Sequence, residues 1–257
     1  PRYSSSAASD VYKRQMITDR SGTCAIMQPS FLPWAGYFNL IALSEHFIFL
    51  TDAEFSKGSW HNRNQVLIEG KKAWITCPIE RAGMHSALDS IQLKSGNQWR
   101  EKMTRTLLHN YARAPFLNEV KFILDTLNDS AYLSLAELNI RLIKQISEEL
   151  SLDTKFSESR QLNINLPRSK KLEALILDKD CTRYLSPVGA KEYLIEDGVL
   201  PNSSINLAFQ EYIPQPYTQY NSQEFVSHLS IFDVIANLGM HETSEYVLNG
   251  IETSVKI

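Results

Sequence analysis

Cysteine is scarce in this sequence. Cys24, Cys77 and Cys181 are the only three, odd in number and far apart. They form no CxxC pair, so neither a disulfide framework nor a cysteine-rich zinc site is expected. Cys24 and Cys77 sit in apolar, strand-like runs, where the expectation is a buried inert thiol. His85, His109, His228 and His241 lack ligand spacing, and neither a metal nor a cofactor is expected. Long apolar runs are missing too. The best, around Phe47–Leu50 and Ile231–Leu238, fall well short of the ~20 residues that cross a bilayer. The expectation is therefore a cytoplasmic protein with no membrane span. A basic excess is absent as well: 26 Lys and Arg stand against 29 Asp and Glu, a net charge of -3, so nucleic acid is not an expected partner. A local anion site stays open. HExxH, Gly-x-Ser-x-Gly, a P-loop and GxGxxG are all lacking, which excludes several large enzyme classes but not catalysis itself.

The 257 residues, 43% of them hydrophobic, suffice for one full core. Residues 1–15, PRYSSSAASDVYKRQ, have no periodicity and no apolar signal core; they read as a non-native or disordered tail. The natural start is expected at Met16 or Met27, and residues 16–257 are expected to form a single domain. Thr23–Gln28 reads as a buried strand, Gly36–Leu43 as a helix and His46–Leu50 as a second strand. Strand, loop, helix and strand in so short a span imply parallel pairing. Val66–Ile68 and Ala73–Ile79 flank a turn at Gly70 and predict a hairpin. Trp99, Met103, Leu107 and Tyr111 recur at helical spacing, Pro115 ends that helix, and Phe116–Leu127 starts another. Ser134 and Glu137 form a capping box for a helix carrying Leu135, Leu138, Leu142, Ile146 and Leu150. Thr154–Ser157, Arg183–Ser186 and Ile205–Glu211 are expected strands. They alternate with helices at Ser169–Leu177 and Gly189–Leu194. Ser230–Leu238 is the last expected helix, with Ser230 and Asp233 as a cap pair and Gly239 beyond its end. The fold class is α/β: a mainly parallel sheet flanked by helices, with a β-hairpin and a helical insertion.

Two segments concentrate recognition chemistry. Gln28–Tyr37, QPSFLPWAGY, follows the carboxyl end of the first strand, the edge where open α/β sheets bind ligands. Gln28 can donate and accept hydrogen bonds, and Trp34 and Tyr37 offer flat faces. Asp52–Asn64, DAEFSKGSWHNRN, follows the second strand as a loop. There Arg63 offers a fork for phosphate, Asn62 and Asn64 suit hydroxyls or base edges, and Trp60 can stack on a ring. The bland alternative is a solvated loop with Arg63 paired to Asp52; His61 reads as a surface residue. Tyr217 and Gln219, in the stiff PQPYTQ loop, face a ligand or pack. Trp-Ala-Gly-Tyr also stands where some nucleotidyltransferases carry His-x-Gly-His, but both histidines are absent, so that likeness stops at the fold.

MQPSFLPWAGYFNLI, FIFLTDAEFSKGSWHNRNQVLI and WITCPI, followed by YARAPF at Tyr111–Phe116, resemble the WbqC-like family of bacterial proteins. So do Tyr184-Leu185-Ser186 with Gly189-Ala190, then Pro216–Gln219, Leu229–Asp233, Asn237 and Gly239. Pro187 departs from the pattern, standing where a glycine is expected. The resemblance implies a place in surface-polysaccharide (O-antigen) biosynthesis. It points to a nucleotide sugar, another small phosphorylated ligand, or an acyl or aminoacyl donor. Three readings follow. The first is a transferase acting on a nucleotide-activated amino sugar. Asp52 would be its base, Arg63 would bind the diphosphate, and Gln28, Trp34, Trp60 and Asn64 would position the sugar. The second is a non-catalytic binding or assembly protein. The third is a nucleotide-binding domain of nucleotidyltransferase descent.

Overall fold

The computed structural model describes residues 20–249 except 163, 165, 167 and 221; the tail at 1–15 and the expected start at Met16 lie outside them. The apolar run before Pro29 forms β1 (Thr23–Met27) and leads through the proline-stiffened loop into α1 (Ala35–Ala42). β2 (His46–Phe49) then lies parallel to β1, from Cys24 opposite His46 to Met27 opposite Phe49. The crossover between these parallel strands needs only a short helix here. β3 (Arg63–Ile68) and β4 (Lys71–Thr76) form the hairpin. Glu69 and Gly70 turn it with φ of 51° and 73°, the left-handed pair of a type I′ turn. The helical insertion follows as α2 (Gln98–Asn110), α3 (Lys121–Asn128) and α4 (Leu135–Glu149). The Ser134–Glu137 capping box is present at the start of α4. The chain then returns through β5 (Lys155–Glu158), α5 (Arg168–Leu177), β6 (Arg183–Pro187), α6 (Lys191–Asp197), β7 (Asn206–Gln210) and α7 (Ile231–Leu248).

The main sheet has five parallel strands in the order β5-β2-β1-β6-β7. Side chains alternate across it. Ala25, Phe47, Phe49, Leu185 and Ala208 face one core, shared with α1, the insertion and α7. Cys24, Ile26, Ile48, Tyr184, Leu207 and Phe209 face a second, closed by Leu172, Leu175 and Ile176 of α5 and Leu194 of α6. From central β1 the chain first builds outward through β2 to β5, then crosses back to β6 on the other flank. The connections leaving β1 and β6 therefore diverge, and a crevice opens between them at the strands' carboxyl ends.

One expectation needs correction and one needs extending. The hairpin strand expected from Val66 begins at Arg63, so Arg63 and Asn64 are strand residues rather than loop residues. Its polar start hides the strand: Asn64 is buried because the loop between β1 and α1, rather than an apolar partner, consumes its side chain. The expected last helix does end at Gly239; what the sequence reading lacks is a further helix that starts at Met240 beyond the kink. Gly239 has φ 79° and ψ 168°, a conformation essentially confined to glycine. A β carbon there would stand 2.8 Å from the Phe116 ring. Gly239→Ala is expected to destabilise the protein by about 1–3 kcal/mol. A lower urea midpoint with an unchanged m-value would report it, and an unchanged midpoint would contradict it.

Candidate functional site

The crevice between β1 and β6 has a volume of about 620 Å³. Gln28 follows β1 into its wall, Asp52 comes from the end of β2, Lys171 from the first turn of α5, and Ser186 and Gly189 from the end of β6. The Gln28 side-chain amide makes no hydrogen bond to another described residue, while its backbone carbonyl accepts from the Tyr37 hydroxyl at 3.0 Å. Asp52 is ion-paired to Lys171, and both side chains are largely buried. The Ser159 hydroxyl donates to the other Asp52 oxygen at 2.7 Å and itself accepts from the Thr51 N–H at 3.1 Å. Burial alone would raise the Asp52 carboxyl. The hydrogen bonds from Lys171 and Ser159 and the lysine's charge outweigh it, and hold Asp52 below the usual carboxylate range.

A second hollow of about 300 Å³ shares Met27 with the crevice. Trp34, Tyr37, Trp60, Asn64, Ser30 and His228 line it. The two hollows divide the expected residues. Gln28 and Asp52 reach the crevice; Trp34, Tyr37, Trp60 and Asn64 reach the aromatic hollow; Arg63 lines neither. Its guanidinium lies 4.1 Å from the Trp74 ring centroid and donates to the Gly58 carbonyl. The expected structural pair of Arg63 with Asp52 is thus replaced by Lys171 with Asp52, because the lysine enters from α5 across the sheet end. His61 is buried rather than superficial, 8% exposed, and burial lowers its pKa so the imidazole is neutral at pH 7.

The asparagines hold the loops. Asn64 donates to the Phe31 and Leu32 carbonyls at 3.1 and 2.7 Å and accepts from the Gln65 N–H. Asn62 donates to the Cys77 carbonyl at 3.0 Å. Asn139 on α4 donates to the carbonyls of Pro29 and His61 at 2.9 and 2.8 Å, joining the two motif segments. Tyr217 and Gln219 pack away from both hollows. They donate to one oxygen of Asp233 at 2.6 and 2.9 Å, and Tyr111 donates to the other at 2.7 Å. Asp233 is therefore no helix cap; Ser230 alone caps α7, accepting from the Phe232 N–H.

The profile of the WbqC-like protein family matches residues 28–245. The chain belongs to the WbqC-like protein family. It is 28% identical over 226 residues to the uncharacterized protein Rv1507c of Mycobacterium tuberculosis, covering 87% of this chain and 96% of that one. No solved structure matches. Among the described residues no helix is long and apolar enough to cross a membrane.

In this WbqC-like chain Lys171 and His228 line the two hollows, Ser159 and Asn139 brace them from behind, and none of the four is among the residues expected from the sequence. Only Lys171 leaves a trace: it is the inward residue of a Lys170-Lys171 pair beside apolar Leu172. The Asp52 pair has a pH signature. With its folded pKa depressed, Asp52 adds stability that is complete above the unfolded value of about 4 and disappears as pH falls through the folded one. Acid titration of thermal stability should therefore fall less steeply below about pH 4 in Asp52→Asn than in the parent. Parallel curves would remove this role.

Proposed function

We propose that this protein is a transferase acting on a nucleotide-activated amino sugar in bacterial surface-polysaccharide biosynthesis, with the crevice as its active site. One observation carries the reading: a Lys–Asp pair and the Gln28 amide, which has no hydrogen bond to another described residue, converge in a crevice at the switch point of a parallel sheet. Lys171 is the cation that meets phosphate, in the role expected of Arg63. Gln28 and Ser186 supply hydrogen bonds to sugar hydroxyls. Ligand phosphate draws Lys171 away from Asp52. That removes the largest force lowering the Asp52 pKa, while burial, which raises it, stays. Asp52 then becomes a better base, and takes the proton that the sugar amine loses as its nitrogen attacks the carbonyl carbon of an activated acyl or aminoacyl donor; the bond from that carbon to the donor's carrier breaks, and the carrier leaves with the electron pair and is protonated from solvent. The alternative, a binding or assembly protein of the same pathway, is favoured by no separate feature: Trp34 and Trp60 line a concave hollow rather than a flat interface.

UDP-N-acetylglucosamine and related nucleotide sugars should raise the melting temperature of the protein. Calorimetry on Lys171→Ala should find binding weakened roughly 10- to 100-fold, as the loss of a charge-assisted contact requires. Circular dichroism should be unchanged. Equal affinity in the folded variant would end the proposal. Binding that stays intact while Asp52→Asn and the parent are equally inert would favour the non-catalytic alternative.

A further inference from the structure

The aromatic hollow is too small for a whole nucleotide sugar but suits one ring system: at about 300 Å³ it lies at the lower limit of small-molecule sites. Its back wall is rigid. The Trp34 indole lies across Gly36, where an added β carbon would fall 2.4 Å from the ring. His228 stacks on it, with centroids 4.8 Å apart and planes at 29°, and the Tyr212 ring meets it edge-on at 5.5 Å. Trp34 is thereby held as a wall and is not itself free to sandwich a ligand. Trp60 differs. It is 49% exposed, and the Trp74 ring tilts against it at 46° rather than stacking on it, so its indole offers an open platform. The Ser30 hydroxyl, also in the wall, makes no hydrogen bond to a described residue and is free to meet a polar ring edge.

The hollow's position sets what the ring is attached to. Met27 lines both cavities, Gln28 follows it into the crevice, and the Tyr37 hydroxyl ties the two walls together through the Gln28 carbonyl. A ring held at Trp60 is thus carried by a molecule whose next part enters the crevice. We propose that the aromatic hollow binds the base of a nucleotide, stacked on Trp60, while its phosphates extend past Met27 to Lys171. This rests on the crevice reading above and names the ligand class at its outer end. An acyl chain would fill the same apolar volume but would leave Ser30 unpaired and gain nothing from a flat indole face.

The test uses the full chain and three sets of probes: UDP, ADP, GDP, CDP and TDP, their nucleosides, and inorganic pyrophosphate. At least one nucleoside and its diphosphate should quench tryptophan fluorescence. By calorimetry, Trp60→Ala should weaken that diphosphate roughly 10- to 100-fold and leave pyrophosphate unchanged, and Trp60→Phe should recover most of the loss. Because Trp60 is half exposed, thermal melting should find Trp60→Ala folded. Two results overturn the base subsite and leave the crevice reading intact: a diphosphate affinity indifferent to Trp60→Ala, or pyrophosphate binding as tightly as every nucleoside diphosphate. A Trp60-dependent nucleoside whose diphosphate is indifferent to Lys171→Ala does the reverse. No binding of any nucleoside or diphosphate rejects the inference outright.

Discussion

The loop between β1 and α1 is held by two buried amides, and the aromatic hollow and the Gln28 side of the crevice depend on that hold. Asn139, fully buried on α4, reaches the Pro29 carbonyl on one side and the His61 carbonyl on the other. Asn64 closes the same loop from β3 through Phe31 and Leu32. The Phe31 N–H donates back to the Trp60 carbonyl, and the Ile231 N–H to that of Pro33. Leu32 sits at φ 41°, a left-handed conformation that costs a branched aliphatic residue of order 1–3 kcal/mol. It persists because its neighbours' carbonyls are spoken for. An intact buried hydrogen bond contributes only about 1 kcal/mol, but an abandoned buried carbonyl costs about 1–3 kcal/mol. The loop is therefore fixed more by the penalty for letting go than by the gain from holding on.

Two carboxylates, Asp52 partly buried and Asp233 fully buried, place opposite demands on their surroundings. Asp52 faces a cation and sits below the ordinary carboxylate range. Asp233 has only neutral donors, two tyrosines and two amides, and burial, the largest influence, leaves its pKa raised in spite of them. Neutral donors contribute roughly half of what a charged partner does, and four of them do not offset full desolvation. Asp233 thus suits a structural knot that joins α7, α2 and the Tyr217 loop. Asp52, whose lowered pKa depends first on one lysine, suits the site proposed above. The distinction comes from partner type rather than depth alone.

Much of the architecture was legible because it is written in local patterns. The apolar run ahead of Pro29, the Ser134–Glu137 box and the Glu69-Gly70 turn each involve residues within a few positions of one another, and each sits where those patterns put it. The site was only half legible. Asp52 and Lys171 are 119 positions apart, and Asn139 and Pro29 are 110 apart. No periodicity links such pairs. Lys171 looks like half of a solvated lysine pair until α5 is laid against the sheet. Asn62 and Asn64 look like ligand contacts because a buried backbone and a sugar ask for the same amide chemistry. Tyr217 and Gln219 mislead for the same reason, and only the fold identifies the Asp233 carboxylate as the acceptor they serve.

The division of labour between the two hollows follows from how the sheet is wound. The aromatic hollow draws mostly on segments close to β1 in sequence, which is why its residues crowd into two visible motifs. The crevice exists only because the chain leaves β1 in one direction and returns on the other side as β6, so its walls must come from both halves of the sequence. Rigid recognition surfaces can be built from a loop and its pinning amides. A responsive charge pair needs two elements that approach from opposite flanks, so that a ligand entering between them competes for one partner. The Asp52–Lys171 contact at the switch point has that geometry, whereas the Arg63–Trp74 stack, formed within one hairpin, does not.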